Sequence, residues 1–245
     1  DMFNAGDLSF VANIGTLIEP IANTTEYNSG LKKIPLGLYS HSDQIMQWQT
    51  SVPQSRSAVG VAGRIADMLQ DMNTIPQISM NISLSGKNRF QSGNTYNEYS
   101  ITRSTTASNI GFTSFPSWWS DAGYKTMTRN GAISNMMEQA YTNIFQKTFG
   151  SLGKSTIDAV DKFRIALENV VPLNSAFSAS SLSQDMKKIA EIISVKSFLG
   201  AKRQIFYITY GGWDHHDNVL GSQAAMLPVL SNAMAEFNDA MTEIG

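Results

Sequence analysis

Two short stretches carry side chains whose types and spacing could do chemistry. The first is Gly211-Gly-Trp-Asp-His-His-Asp-Asn218, where Asp214 and His216 offer a carboxylate and an imidazole within one tight turn enabled by two glycines. Carboxylate plus imidazole suits zinc, manganese or iron. A catalytic zinc takes three protein ligands, so an equally open reading is a surface loop in which Asp217 or Asn218 caps the next helix. His215 is expected to point away from its neighbours. The second stretch is Leu38-Tyr-Ser-His-Ser-Asp-Gln44. A serine at a helix N-terminus sits among unpaired N–H groups and the positive end of the dipole, which would hold the anion of a phosphate or sulfate ester while Ser40 Oγ attacks it. Ser40-x-x-Asp43 is also a capping-box pattern, and the residues alone favour the cap. His41 could bind substrate or metal, or hydrogen-bond within the loop. His41, His215 and His216 are the only three histidines in the sequence, so histidine chemistry rests on them.

Other chemistries are excluded or weak. With no cysteine there is no disulfide, thiolate zinc site, iron–sulfur cluster or cysteine nucleophile. A net charge of −2 without a Lys/Arg block argues against a nucleic-acid partner, which needs a basic footprint. No apolar run reaches the ~18 residues of a membrane span. Phe149-Gly-Ser-Leu-Gly-Lys-Ser-Thr156 resembles a phosphate-binding P-loop, but two residues rather than four separate its glycines and no strand precedes it; a helix-breaking turn is expected. Phe115, Trp118, Trp119 and Tyr124 could stack on a sugar or a partner, and buried loop anchors are the favoured reading. The Asn23 and Asn81 sequons are short, uninformative matches.

The elements that would position these residues follow from pattern. The chain has 245 residues, 42% hydrophobic, enough for a sizeable core. Charged residues reach only 16%, against ~25% in an average soluble protein, with Ser, Thr, Asn and Gln in their place. Leu8–Ile14 reads as a buried strand, 20–40 as loop, Ser42–Thr50 as a short helix with Ile45, Met46 and Trp48 apolar, and Ala62–Met72 as a helix. Ile78–Leu84 alternates, predicting a strand with one wet face. Residues 86–130 lack a sustained period and are expected to form an excursion of loops or a hairpin. A helical stretch from Ala132 to Val170, broken near Gly150 and Gly153, comes next. Ser181-Leu-Ser-Gln184 fits a capping box opening a helix that Gly200 closes. Arg203–Tyr210 is nearly continuous β-branched and aromatic sequence, predicting a strand at the centre of a parallel sheet, neighbour to residues 8–14. A last helix is expected over about Ser222–Thr242, with Pro228 near its first turns or at a kink.

Several runs together resemble bacterial proteins of domain-of-unknown-function family 1501: Asn4–Pro20, Leu38–Thr50, Gly63-Arg-Ile-Ala-Asp67, and Lys202 through Asn218. They span most of the chain in order. The family is grouped with the alkaline phosphatase and sulfatase superfamily. The resemblance implies a three-layer α/β/α sandwich with a mainly parallel sheet and a metal-supported site at the strand ends. It also implies Asp214 and His216 as ligands of a divalent metal, Ser40 as nucleophile, and export to the periplasm. The family's upstream Gly-Gly-Asn-Asp-like loop and its downstream Ser-Asp-Phe-Gly-Arg-like and Asp-His-Gly-like motifs have no counterpart here. Val61 stands where the family often has Trp.

The expectation is therefore a single α/β domain over residues 1–245, incomplete at both ends, with the excursion at about 86–130. It would be a fragment of an exported metal-dependent hydrolase acting on small-molecule or glycan esters of phosphate or sulfate. The alternative is a non-catalytic binding or assembly protein on the same fold, using the excursion as its contact surface.

Overall fold

The computed structural model describes residues 2–11, 14–103 and 121–245. Short helices α1 (Met2–Ala5) and α2 (Thr24–Asn28) precede α3 (His41–Thr50) and α4 (Val61–Leu69), which tightens into a 3-10 turn at Gln70–Met72. Strands β1 (Asn81–Ser83) and β2 (Tyr99–Ser100) follow. After them come α5 (Asp121–Glu138), α6 (Ile144–Leu167), α7 (Ser181–Ser194), β3 (Ile205–Tyr207) and α8 (Val219–Ile244). The strands form one parallel sheet in the order β2-β1-β3, with Ile82 opposite Tyr99 and Phe206. The chain is thus a mixed helix-and-strand protein of α/β character with a small parallel sheet.

The two faces of β1 differ, because successive strand residues point opposite ways. Ile82 enters an apolar core with Ile78, Ile101, Phe163 and Ala159 from α6, and Ile192, Val195 and Leu199 from α7 and its C-terminal turn. The Tyr99 ring lies 5.1 Å from that of Phe163. Asn81 and Ser83 face the other way, and they too are fully buried. The alternation at 78–84 is therefore real, but its polar face is dry. Asn81 Nδ2 donates to the carbonyls of Ala62 and Gln91, and Ser83 Oγ to that of Gly86. Gln91 Nε2 bridges the carbonyls of Ile82 and Ile205, one on each strand. Gln70 donates to Ile78 O and accepts from Met80 N, while Asn73 holds Lys202, Arg203 and their strand entry.

Several expected elements are corrected. Residues 8–11 and 14 form no strand; Leu8 and Phe10 lie beside α8, lining with Leu230 and Met234 a cavity of about 930 Å³. The parallel neighbour of β3 is β1, and among the described residues β3 is an edge strand, half-buried, rather than the centre of the sheet. In α3 the buried residues are Gln47 and Thr50, whereas Ile45 and Trp48 are exposed. Residues 24–28 are helical within the expected loop. Gly150 and Gly153 do not break the chain. Both lie inside α6, where the missing side chains admit the Met137 backbone and thioether of α5. The cap of α7 is Ser180, one residue earlier than expected, its Oγ accepting from Ser183 N at 3.2 Å. Pro228 sits well inside α8, which begins at Val219, three residues before the expected start at Ser222. Within 86–130, β2 adds a parallel strand instead of a hairpin and α5 begins at Asp121. Phe115, Trp118 and Trp119 lie outside the described residues.

Two outcomes are expected. Gln91→Leu keeps the volume but leaves the Ile82 and Ile205 carbonyls without their donor, and urea unfolding should show a loss of roughly 2–4 kcal/mol. Glu243 on α8 accepts from the backbone N–H groups of Asn174 and Ser175 and from both side chains. The Asn174 amide first, then the Ser175 hydroxyl and amide, hold its carboxyl at about 2. A depressed carboxyl stabilises fully above its unfolded value and loses that contribution as pH falls through the folded one. Thermal melts should therefore weaken between pH 4.5 and about 2, and Glu243→Gln should flatten that dependence.

Candidate functional site

The carboxyl ends of parallel strands are where open α/β sheets place ligands. Here that rim is made by Ser85 after β1 and by Tyr207 and Thr209 at the end of β3. Thr209 donates its N–H to Ser85 Oγ at 2.9 Å, with the two hydroxyls 3.0 Å apart. Gln49 of α3 donates to the Tyr207 hydroxyl and accepts from the amides of Arg89 and Phe90, tying α3 and the 85–91 loop to the strand end. Sequence reading missed Gln49, Tyr207 and Ser85, because nothing in their spacing marks them as partners.

The Gly211–Asn218 loop leaves this rim. Gly212 has φ +96°, a conformation that strains any other L residue, so the double glycine is used for the turn. Trp213 stacks edge-on against Tyr210 and donates to its carbonyl at 2.7 Å. His216 Nε2 lies 3.0 Å from Asp214 Oδ2, with both side chains well exposed. The two residues singled out by type do meet. His215 turns elsewhere: its ring lies 6.4 Å from that of Trp213, and its Nε2 is buried without a partner among the described residues. Asn218 occupies the cap position of α8 at φ +47° but makes no side-chain capping bond.

Among the described residues no third His, Asp or Glu joins Asp214 and His216 into a metal-ligating group. The donor types suit a divalent cation; two donors held by each other in the open do not complete its coordination. The pair fits part of a metal site.

Ser40 is the N-cap of α3, its Oγ accepting from Asp43 N at 3.4 Å and lying 3.1 Å from Ser42 Oγ. The capping expectation therefore holds. Arg56 grips the Asp43 carboxylate with two nitrogens, and that guanidinium, with Ser40 behind it, holds the carboxyl below its ordinary range. Gly37 closes the turn at φ +63°, where a side chain would collide with Asp43. His41 is exposed in the first turn. Among the described residues no hydrogen bond or ion pair links the Ser40–Asp43–Arg56 group to Asp214 or His216.

The Gly63–Asp67 run has a structural role that its sequence does not announce. A side chain at Gly63 would collide with Ser92, so α4 lies directly on the 90–93 loop. Arg64 donates to the carbonyls of Val59 and Thr50, fixing the end of α3. Asp67 accepts from the amides of Asn94, Thr95 and Tyr96. Burial works to raise its carboxyl, and the three amides outweigh that and hold it low. No family model, curated protein or solved structure matches the chain.

The cap and the nucleophile can be separated by stability. Ser40→Ala should lower the stability of the whole chain by about 1 kcal/mol in chemical unfolding, and Ser40→Asn, itself a good cap, should restore it.

Proposed function

We propose that the chain is part of an exported, metal-dependent hydrolase of phosphate or sulfate esters, with an alkaline phosphatase-like three-layer sandwich as its parent fold. The observation that carries the reading is the meeting of Asp214 and His216 at 3.0 Å, open to solvent on the loop that follows β3. The helices on both faces of the parallel sheet and the resemblance of four ordered sequence runs also support it.

In this reading Asp214 and His216 contribute two ligands to a divalent metal, which when bound supplies positive charge to the ester oxygens. Ser40 Oγ is the nucleophile. Oγ forms a bond to phosphorus or sulfur as the bond from that atom to the ester oxygen breaks, the hydroxyl proton ending on the departing alcohol. Water then attacks the serine ester, releasing inorganic phosphate or sulfate and restoring the Ser40 hydroxyl. The first-turn amides of α3 hold the anion, and Arg56 offsets the Asp43 carboxylate that would repel it. His41, exposed beside Ser40, contacts the ester's leaving group. The substrate is a small-molecule or glycan ester, and the protein works in the periplasm.

A non-catalytic binding role is the second reading, favoured by the absence of a third ligand among the described residues. Chromogenic aryl phosphates and sulfates, assayed on the intact parent protein with added zinc or manganese, decide between them. Ser40→Asn keeps the cap, so hydrolysis should fall by roughly 10³-fold or more with unfolding unchanged. Asp214→Ala with His216→Ala should weaken metal binding in calorimetry. Full activity in Ser40→Asn would remove the nucleophile assignment.

A further inference from the structure

We propose that the α5–α6 hairpin is a homodimerisation surface, on which a second copy of this chain packs to close a four-helix bundle. The C-terminal half of α6 is anchored in the core by Ala159, Phe163 and Ala166. Its N-terminal half is not. Ile144, Phe145, Phe149 and Leu152 there, with Met136 on α5, are each between 61% and 81% exposed. The positions 145, 149 and 152 recur at helical spacing, so they form one apolar stripe. Beside it runs a groove of about 690 Å³ lined by Ile133, Met136, Met137, Tyr141, Phe145 and Phe149. Methionine walls adapt to whatever shape fills them.

Area argues for the occupant. At roughly 200 Å² per large apolar residue, Phe145, Phe149, Leu152 and Met136 leave about 560 Å² in water, beyond the ~400 Å² at which a patch marks an interaction site. A stable interface needs about 800 Å² from each partner, so these four side chains supply most of one share. Shape argues for a second copy. The same surface offers both protruding rings and the groove that could receive them, which is what a two-fold, self-complementary contact requires. A second hairpin laid across this one would cover the α5 and α6 apolar residues together, and the four-helix bundle is the closed form of that packing. Gly150 and Gly153 let α5 and α6 pack closely, and the Glu138–Lys154 ion pair at 2.6 Å ties the two helices together, so the surface is preformed.

Sedimentation equilibrium of the full chain from about 1 to 100 μM tests this. The wild type should dimerise. Phe145→Glu with Phe149→Glu, or Met136→Glu on the opposite wall, should weaken the dimer at least ~100-fold while circular dichroism shows the same helix content. Leu31→Glu, which removes an apolar side chain 88% exposed elsewhere, should leave the dimer unchanged. Three results would overturn the proposal. The first is a wild type monomeric at 100 μM, whether or not it binds anionic vesicles. The second is a dimer that both hairpin variants leave intact. The third is a monomer whose melting temperature drops in those variants, meaning that the groove is covered within its own chain.

Discussion

The structure depends on how a short parallel sheet satisfies its backbone when one face of its middle strand is polar and dry. Asn81 and Ser83 face inward and are fully buried. Buried amides and carbonyls without partners each cost on the order of 1–3 kcal/mol. Side-chain carboxamides meet that demand. Gln91 spans both strands, Gln70 mimics a strand partner for residues 78–80, and Asn73 receives the chain as it enters β3. A carboxamide has a donor and an acceptor arranged as in a peptide unit, so it can extend a sheet where no further strand exists. This gives the high Asn and Gln content a structural use.

The same device sets the functional rim. Gln49 reaches from α3 to both the 89–90 amides and the Tyr207 hydroxyl, so helix, loop and strand end are fixed by one side chain. Asp214 and His216 lie beyond that fixed rim on a glycine-opened turn, held mainly by each other and by the Trp213–Tyr210 contact. Preorganisation is therefore strong at the strand ends and weak on the Asp214–His216 turn.

Charges are sparse, and several of the acids act as loop clamps. Asp67 gathers the 94–96 amides, Glu243 gathers 174–175, Glu236 takes the Ser183 hydroxyl, and Asp43 is gripped by Arg56. Asp67 and Glu243 collect backbone amides of a neighbouring segment through charge-assisted bonds, whereas Asp43 with Arg56 is an ion pair at the surface.

What depends on neighbours along the chain can be read from residue order alone. Ser40 as a cap, the helices at 41–50 and 61–69, the meeting of Asp214 with His216 two residues apart, and the use of Gly211-Gly212 as a turn are all local events. Pairing, by contrast, is settled by contacts between remote segments. The run at 204–210 has the composition of a central strand, yet it lies at the sheet edge because residues 8–11 went to α8 instead. The alternation at 78–84 marks two faces without saying that distant carboxamides would keep the polar one dry. Gly150 and Gly153 read as breakers because a sequence does not show Met137 packing against them; once α5 lies there, the missing side chains become close packing inside an unbroken helix. Local geometry is written in spacing, whereas strand order and burial depend on which remote surface reaches a segment first.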